Sequence, residues 1–252
     1  MNKWRQILLA LLVLAFSSLA FGDEDSEDEE MQLRRWAVMG DAQAQNLLGL
    51  LYIDNHLGLK NPAEAAYWLE LAADQGHAGA QLNLGLMYLR GEGLAQDEQQ
   101  ALYWFRRAAE QTLPAAQTLL GYMYLKGKGT EANPAESVFW LQQAAQQNYA
   151  GAQYLLGMAY LQGDGLPSDT RQAGYWLEKA AKQDVSAAQF RMGMNYLRGV
   201  GVERDAWRGY RYLLQASLKV GVSLNDSQEL VCIGLNSEQI QQARLSTRHL
   251  KL

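Results

Sequence analysis

The chain has 252 residues, 48% of them apolar and 10% aromatic, enough to bury a core and to exclude wholesale disorder. Its net charge is −5, with 22 basic and 27 acidic residues, and its single cysteine, Cys232, excludes an intramolecular disulfide framework. Removing Lys3, Arg5 and the seven acids of residues 23–30 leaves 20 basic and 20 acidic residues from Met31 onward, a neutral body without the basic footprint of a nucleic-acid binder.

The amino-terminal stretch MNKWRQILLALLVLAFSSLAFG has the anatomy of a secretory signal peptide over residues 1–22: a basic start, an apolar run, then small residues. Cleavage is expected after Ala20 or Gly22, which places the mature protein in a periplasm or outside the cell. The alternative is an uncleaved anchor, but Ile7 to Phe21 is only 15 residues, short of the roughly 20 that span a bilayer as a helix. Membrane association is expected only through such an anchor. No cysteine lies near the cleavage region to carry a lipid, and Cys232, within ELVCIGL, reads as a small buried hydrophobe. Residues 23–30, DEDSEDEE, read as a solvated, disordered acidic leader, with a cation- or partner-binding tail as the other reading.

From residue 41 the chain repeats itself every 36 residues. Gly49, Gly85, Gly121, Gly157 and Gly193 are each followed three residues later by Tyr52, Tyr88, Tyr124, Tyr160 and Tyr196. The pair Ala44-Gln45 returns at 80, 116, 152 and 188, and Trp68, Trp104, Trp140 and Trp176 give way to Tyr212. The units are 41–76, 77–112, 113–148, 149–184 and 185–220. Each unit predicts two helices. In the first, exemplified by Gln81, Leu84, Gly85 and Tyr88, the fixed residues fall at i, i+3, i+4 and i+7, one face of a 3.6-residue period. The second is opened by Asn61, Asp97, Asn133, Asp169 or Asp205 as N-cap, with Pro62 and Pro134 immediately after. It closes at Gly76, Thr112, Asn148 or Asp184, where Gly and Asn suit a left-handed cap.

A glycine inside a helix costs about 1 kcal/mol relative to alanine. Gly85 and its counterparts are therefore expected to face the second helix, letting two backbones approach while the following tryptophan fills the space alongside. The Gly-x-Gly pairs at 91/93, 127/129, 163/165 and 199/201 recur four times between helices, which is turn chemistry; a nucleotide-binding loop should occur once, after a strand. The first unit reads Asn55-His56-Leu57 there.

The pattern A-x-A-Q-x-x-L-G-x-x-Y-x-x-G-x-G, then N/D-x-x-x-A-x-x-W-L-x-x-A-A, resembles the Sel-1-like repeat family, tetratricopeptide-like helical repeats, over about 180 residues. The resemblance implies an all-α fold, a right-handed α-α superhelix of five helix-turn-helix repeats with helical caps. Leu33 to Ala37 aligns with Leu69 to Ala73, so residues 31–40 are expected to form a half helix capping the first unit, and 221–252 two closing helices.

The resemblance also implies function: an exported scaffold or adaptor, not an enzyme, that binds a protein or peptide in envelope-associated signalling, assembly or host interaction. Carrying over the tetratricopeptide layout, the concave face is lined by Asn46, Leu82, Thr118, Tyr154 and Phe190, and one turn later by Leu50, Leu86, Tyr122, Met158 and Met194. These residues either grip a partner or pack between units. The alternative function is a peptidoglycan- or envelope-enzyme-associated protein, either a modulator or a hydrolase. The residues argue against catalysis: His56, His77 and His249 have no metal-ligand spacing, and the acids are scattered singly. No cofactor, metal or nucleic acid is expected. Residues 166–252 hold 12 basic and 8 acidic side chains, a local excess that would attract an acidic partner or the chain's own leader. Neither the partner nor the oligomeric state follows from these patterns.

Overall fold

A computed structural model describes residues 26–54 and 60–220. Among these residues there are eleven helices and no strand, and successive helices pack in a row as an all-α solenoid. The order is α1 Ser26–Val38, α2 Ala42–Ile53, α3 Pro62–Asp74, α4 Ala78–Arg90, α5 Glu98–Glu110 and α6 Pro114–Lys126. It continues with α7 Pro134–Gln146, α8 Ala150–Gln162, α9 Thr170–Lys182, α10 Ser186–Arg198 and α11 Ala206–Val220. Even-numbered helices are the first of each unit, odd-numbered helices from α3 the second. Each second helix packs on the first helix of its own unit, and α3, α5, α7 and α9 also pack on that of the next. First helices of neighbouring units also touch, as α6 does α8, so they share one layer.

The amino-terminal cap is longer than the expected half helix. α1 begins at Ser26 and ends at Val38, each 36 residues before the bounds of α3, so it is a full counterpart of a second helix packed on α2. The helix therefore takes in residues 26–30 from the stretch expected to be a disordered leader. The signal peptide, Cys232, the 55–57 turn and the carboxy-terminal caps lie outside the described residues.

The expected caps are present. Asn61, Asp97, Asn133, Asp169 and Asp205 each accept a hydrogen bond from a first-turn amide of the helix they open. Their own amides donate to the carbonyls of Tyr52, Tyr88, Tyr124, Tyr160 and Tyr196, closing every loop within a unit in the same way. The first helices α4, α6, α8 and α10 end at a left-handed glycine, for example Gly91 at φ +69°, whereas α2 ends at Asp54 in an extended conformation. Second helices α3, α5, α7 and α9 are followed by Gly76, Thr112, Asn148 and Asp184, all at positive φ.

The glycine notch holds a different side chain from the one expected. A Cβ on Gly85 would lie 2.6 Å from Phe105 Cε1; on Gly49, Gly121, Gly157 and Gly193 it would crowd Leu69, Leu141, Leu177 and Leu213. The residue in the notch is thus the one after the tryptophan. Neighbours on a helix are about 100° apart, so only one of the pair can point at the glycine. Phe105, Leu69, Leu141 and Leu177 are wholly buried. The tryptophans sit at the seams: Trp104, 5% exposed, joins the core of the first unit and α4, and Trp68, Trp140 and Trp176 are half-buried.

The Ala-Gln pairs weld the units. Gln45, Gln81, Gln117, Gln153 and Gln189 are buried, and each donates to the carbonyl of Ala37, Ala73, Ala109, Ala145 or Ala181 at the end of the preceding unit's helix. The first four accept in turn from Gln75, Gln111, Gln147 and Gln183, at 2.7 to 2.9 Å. A buried carboxamide with both ends paired fixes register without leaving a polar atom stranded.

Candidate functional site

Most of the fixed residues of each unit are spent on caps, notch, seams and glutamine bonds. Variable side chains remain on the layer of first helices. Its amino-terminal members mostly seal joints between units. Asn46 is buried and accepts from Asn83 Nδ2 at 3.4 Å, across the α2/α4 joint, while Thr118 is buried with its hydroxyl donating to the Pro114 carbonyl at 2.7 Å. Leu50 and Tyr122 are half-buried. Leu82 and Leu86 are half-buried against the core of α5 and α6, and Tyr154 and Met158 against that of α9 and α10. On α10 the layer opens: Met194 is half-buried and Phe190 is 54% exposed. Eight of the ten expected residues therefore keep surface on this face, and Asn46 and Thr118 do not.

Charge divides the layers. The five first helices contain no Asp or Glu, and their only charged residues are the cations Arg90, Lys126, Arg191 and Arg198, all exposed. The acids lie elsewhere, at Glu64, Glu70 and Asp74 on α3 and Glu98 and Glu110 on α5, for example. Arg90 makes a long pair with Glu92 at 3.8 Å; Lys126, Arg191 and Arg198 make no ion pair among the described residues. One ion pair joins two units: Lys128, in the loop after α6, reaches back 3.2 Å to Glu98 on the preceding unit.

The second layer carries a feature that the sequence reading missed. Tyr67, Tyr103, Phe139 and Tyr175 recur 36 residues apart, each 49 to 52% exposed. Each meets the next residue, the seam tryptophan, edge to face with ring centroids 4.9 to 5.1 Å apart. Arg107 and Lys179 lie over two of these pairs. The signal was the Tyr/Phe-Trp dipeptide at constant spacing, but a residue 100° from a core position is ordinarily polar, so its exposure could not be read from the period.

Titratable groups are perturbed by packing. His77 caps α4, its Nδ1 accepting from the Ala80 amide at 3.0 Å while Nε2 lies 2.8 Å from Gln43 Oε1 on α2, which makes Nε2 the protonated nitrogen. Burial holds its pKa below 6.5 against the opposing pull of Asp41. Tyr212, in the place of a seam tryptophan, stacks on Tyr196 at 5.9 Å; burial, then Glu178, pushes its pKa up to about 12. Among the described residues no group of three His, Cys, Asp or Glu side chains could hold a metal, and no helix is long and apolar enough to cross a membrane.

The Sel1 repeat model matches residues 42–77, 78–113, 114–149, 150–185 and 186–219, each match beginning one residue after the corresponding unit drawn from the sequence. No curated protein matches the chain. Among solved structures it is similar to a protective antigen present in uropathogenic Escherichia coli strains that displays this fold, with 38% identity and a TM-score of 0.72. That similarity covers 75% of this chain and 41% of the antigen. It is also similar to a Sel1 repeat protein from Oxalobacter formigenes, with 33% identity and a TM-score of 0.71, over 95% of this chain and 65% of the other. The chain spans less than two-thirds of either protein's length.

Proposed function

The chain belongs to the Sel1 repeat family, and on that premise we propose that it is an exported, non-enzymatic scaffold that holds a protein or peptide against its layer of first helices. Proteins of this repeat family are generally protein-binding scaffolds. The observation that carries the reading is the division of labour within a unit: the fixed side chains of the first helices are taken up by notch, core and glutamine bonds, and the variable positions of that layer leave half-buried Leu86, Tyr122, Tyr154, Met158 and Met194 and exposed Phe190. Partly exposed apolar and aromatic side chains on a preorganised helical surface are the material of peptide-binding hot spots. Export is supported by the apolar start MNKWRQILLALLVLAF and small residues after it, and by the similarity to a protein described as a protective antigen.

A wall-cutting role would need a pair of carboxylates flanking the bound glycan, and the first-helix layer offers none, which favours the scaffold over the hydrolase reading. The aromatic row Tyr67, Tyr103, Phe139 and Tyr175 marks a second surface. Photo-cross-linking in the native cell separates the two. A photo-reactive phenylalanine analogue at Tyr154 or Phe190 should capture one protein of constant mass, absent when the probe stands at Phe139 or Tyr175. Capture from the second pair alone would move the function to the other layer. A carboxy-terminally tagged chain should be recovered outside the cytoplasm with its amino terminus just after Ala20 or Gly22; a full-length cytoplasmic product would refute export.

A further inference from the structure

We propose that the segment held by the first-helix layer is an acidic peptide of another protein, bearing apolar or aromatic side chains between its carboxylates; this rests on the peptide-binding reading above. The charges of the layer are of one sign. Arg90, Lys126 and Arg198 stand one turn beyond Leu86, Tyr122 and Met194, at i+4 and so on the same helix face. Arg191 lies beside Phe190 and is likewise exposed. A local reason exists for the first three, since cations are favoured at a helix carboxy terminus. Arg191 has no such reason: it stands in the second turn of α10, nearer the end where the dipole disfavours a cation.

No carboxylate on the first helices neutralises these four charges, although the chain as a whole is acidic and its acids crowd the second helices and the loops. Cations lined up beside apolar anchors, of which Lys126, Arg191 and Arg198 make no ion pair among the described residues and Arg90 only the long one to Glu92, steer an acidic segment onto the surface and reject a basic one. The chain's own DEDSEDEE carries charge but no apolar side chain to set against Tyr154 or Phe190, so the segment that satisfies both halves of the surface comes from a partner.

The test is selection followed by affinity. A random 12-residue peptide library displayed on phage is panned against the full chain. Enriched peptides are then titrated by fluorescence polarisation against the full chain, a Lys126→Glu/Arg191→Glu/Arg198→Glu variant and a Tyr154→Ala/Phe190→Ala variant, at 50 and 300 mM salt. Enriched peptides should carry net negative charge with two or more apolar or aromatic residues. The charge-reversed variant should bind them about tenfold or more weakly, as should the doubled alanine variant, and binding should weaken with salt. The three cations are exposed and make no ion pair among the described residues, so their reversal, which sets two anions at helix carboxy termini, should lower the thermal midpoint by no more than a few degrees and leave a cooperative melt. Neutral or basic enriched peptides, bound within about twofold by the charge-reversed variant, would overturn the acidic assignment and leave peptide binding standing. No enrichment, or peptides indifferent to Tyr154→Ala/Phe190→Ala, would overturn peptide binding itself. A peptide of residues 23–30 that binds as tightly as the selected ones would replace the foreign segment with the chain's own.

Discussion

Gly93 lies against the carbonyl group of Pro62, the first residue of α3 in the preceding unit, so closely that a side chain there would collide with backbone. Gly129, Gly165 and Gly201 meet Glu98, Pro134 and Thr170 in the same way. The second glycine of each Gly-x-Gly is therefore a joint between units as well as a turn residue. The first, Gly91, needs only its left-handed φ of +69°, its nearest foreign atom being Gln96 Cβ at 3.3 Å from an added Cβ. Gly91→Ala should cost about 1–2 kcal/mol, the usual penalty of an L-residue in that region. Gly93→Ala should cost at least about 2 kcal/mol more, because the opposing carbonyl cannot rotate away. Urea unfolding of both variants measures the order; equal losses would mean that the joint yields.

Gly85 is required for a different reason, contact with a ring. An added Cβ would lie 2.6 and 2.7 Å from Phe105 Cε1 and Cδ1. Alanine is the better helix former by about 1 kcal/mol, yet Gly85→Ala should destabilise by about 1–3 kcal/mol because the buried ring must move within a filled core. Gly85→Leu should cost more. A midpoint that rises with alanine would show that helix propensity outweighs the close approach.

What was legible and what was not follows from the range of the interactions. Asn61, Asp97 and Asn133 could be assigned as caps because a cap bonds three residues away in sequence. The choice between Trp104 and Phe105 for the notch could not be made, because it turns on the rotation of α5 about its axis, which the repeat does not fix. Asn46 and Thr118 fell on the right layer but at its closed joints, since how tightly first helices approach one another depends on the packing of second helices behind them. Gln75, Gln111, Gln147 and Gln183 went unread, because their bonds join residues 30 apart and required coordinates.

Thr112 holds φ at +63°, a conformation that a β-branched residue pays to adopt, at a position where other units place Gly76 and Asn148. Thr112→Asn should therefore raise stability by about 0.5–1 kcal/mol, or about 2 °C in thermal midpoint for a chain of this size. An unchanged or lowered midpoint in a calorimetric scan would show that Thr112 makes a compensating contact.

Gln117 donates to the Ala109 carbonyl at 3.2 Å and accepts from Gln147 at 2.9 Å, so it joins the second and third units. Gln117→Ala strands a buried carbonyl and should cost about 1–3 kcal/mol. Gln147→Ala removes an exposed donor whose loss water can repair and should cost well under half as much. Similar losses for the two would place the value of the pair in the exposed residue.

His77 makes stability depend on pH at the joint between the first two units. Its folded-state pKa lies below the unfolded value of 6.5 because burial disfavours the charged ring. The unfolded chain thus takes up the proton first, so the contribution of His77 is fully present above pH 6.5 and is lost as pH falls through that value towards the folded-state pKa. Protonation also turns Nδ1 from acceptor into donor and breaks the bond from the Ala80 amide. Asn at this position caps without titrating. The thermal midpoint of the native chain should fall more steeply than that of His77→Asn between pH 7.5 and 5.5, and the two should run parallel above pH 7.5. Parallel curves throughout would mean that the imidazole titrates alike in the folded and unfolded chains.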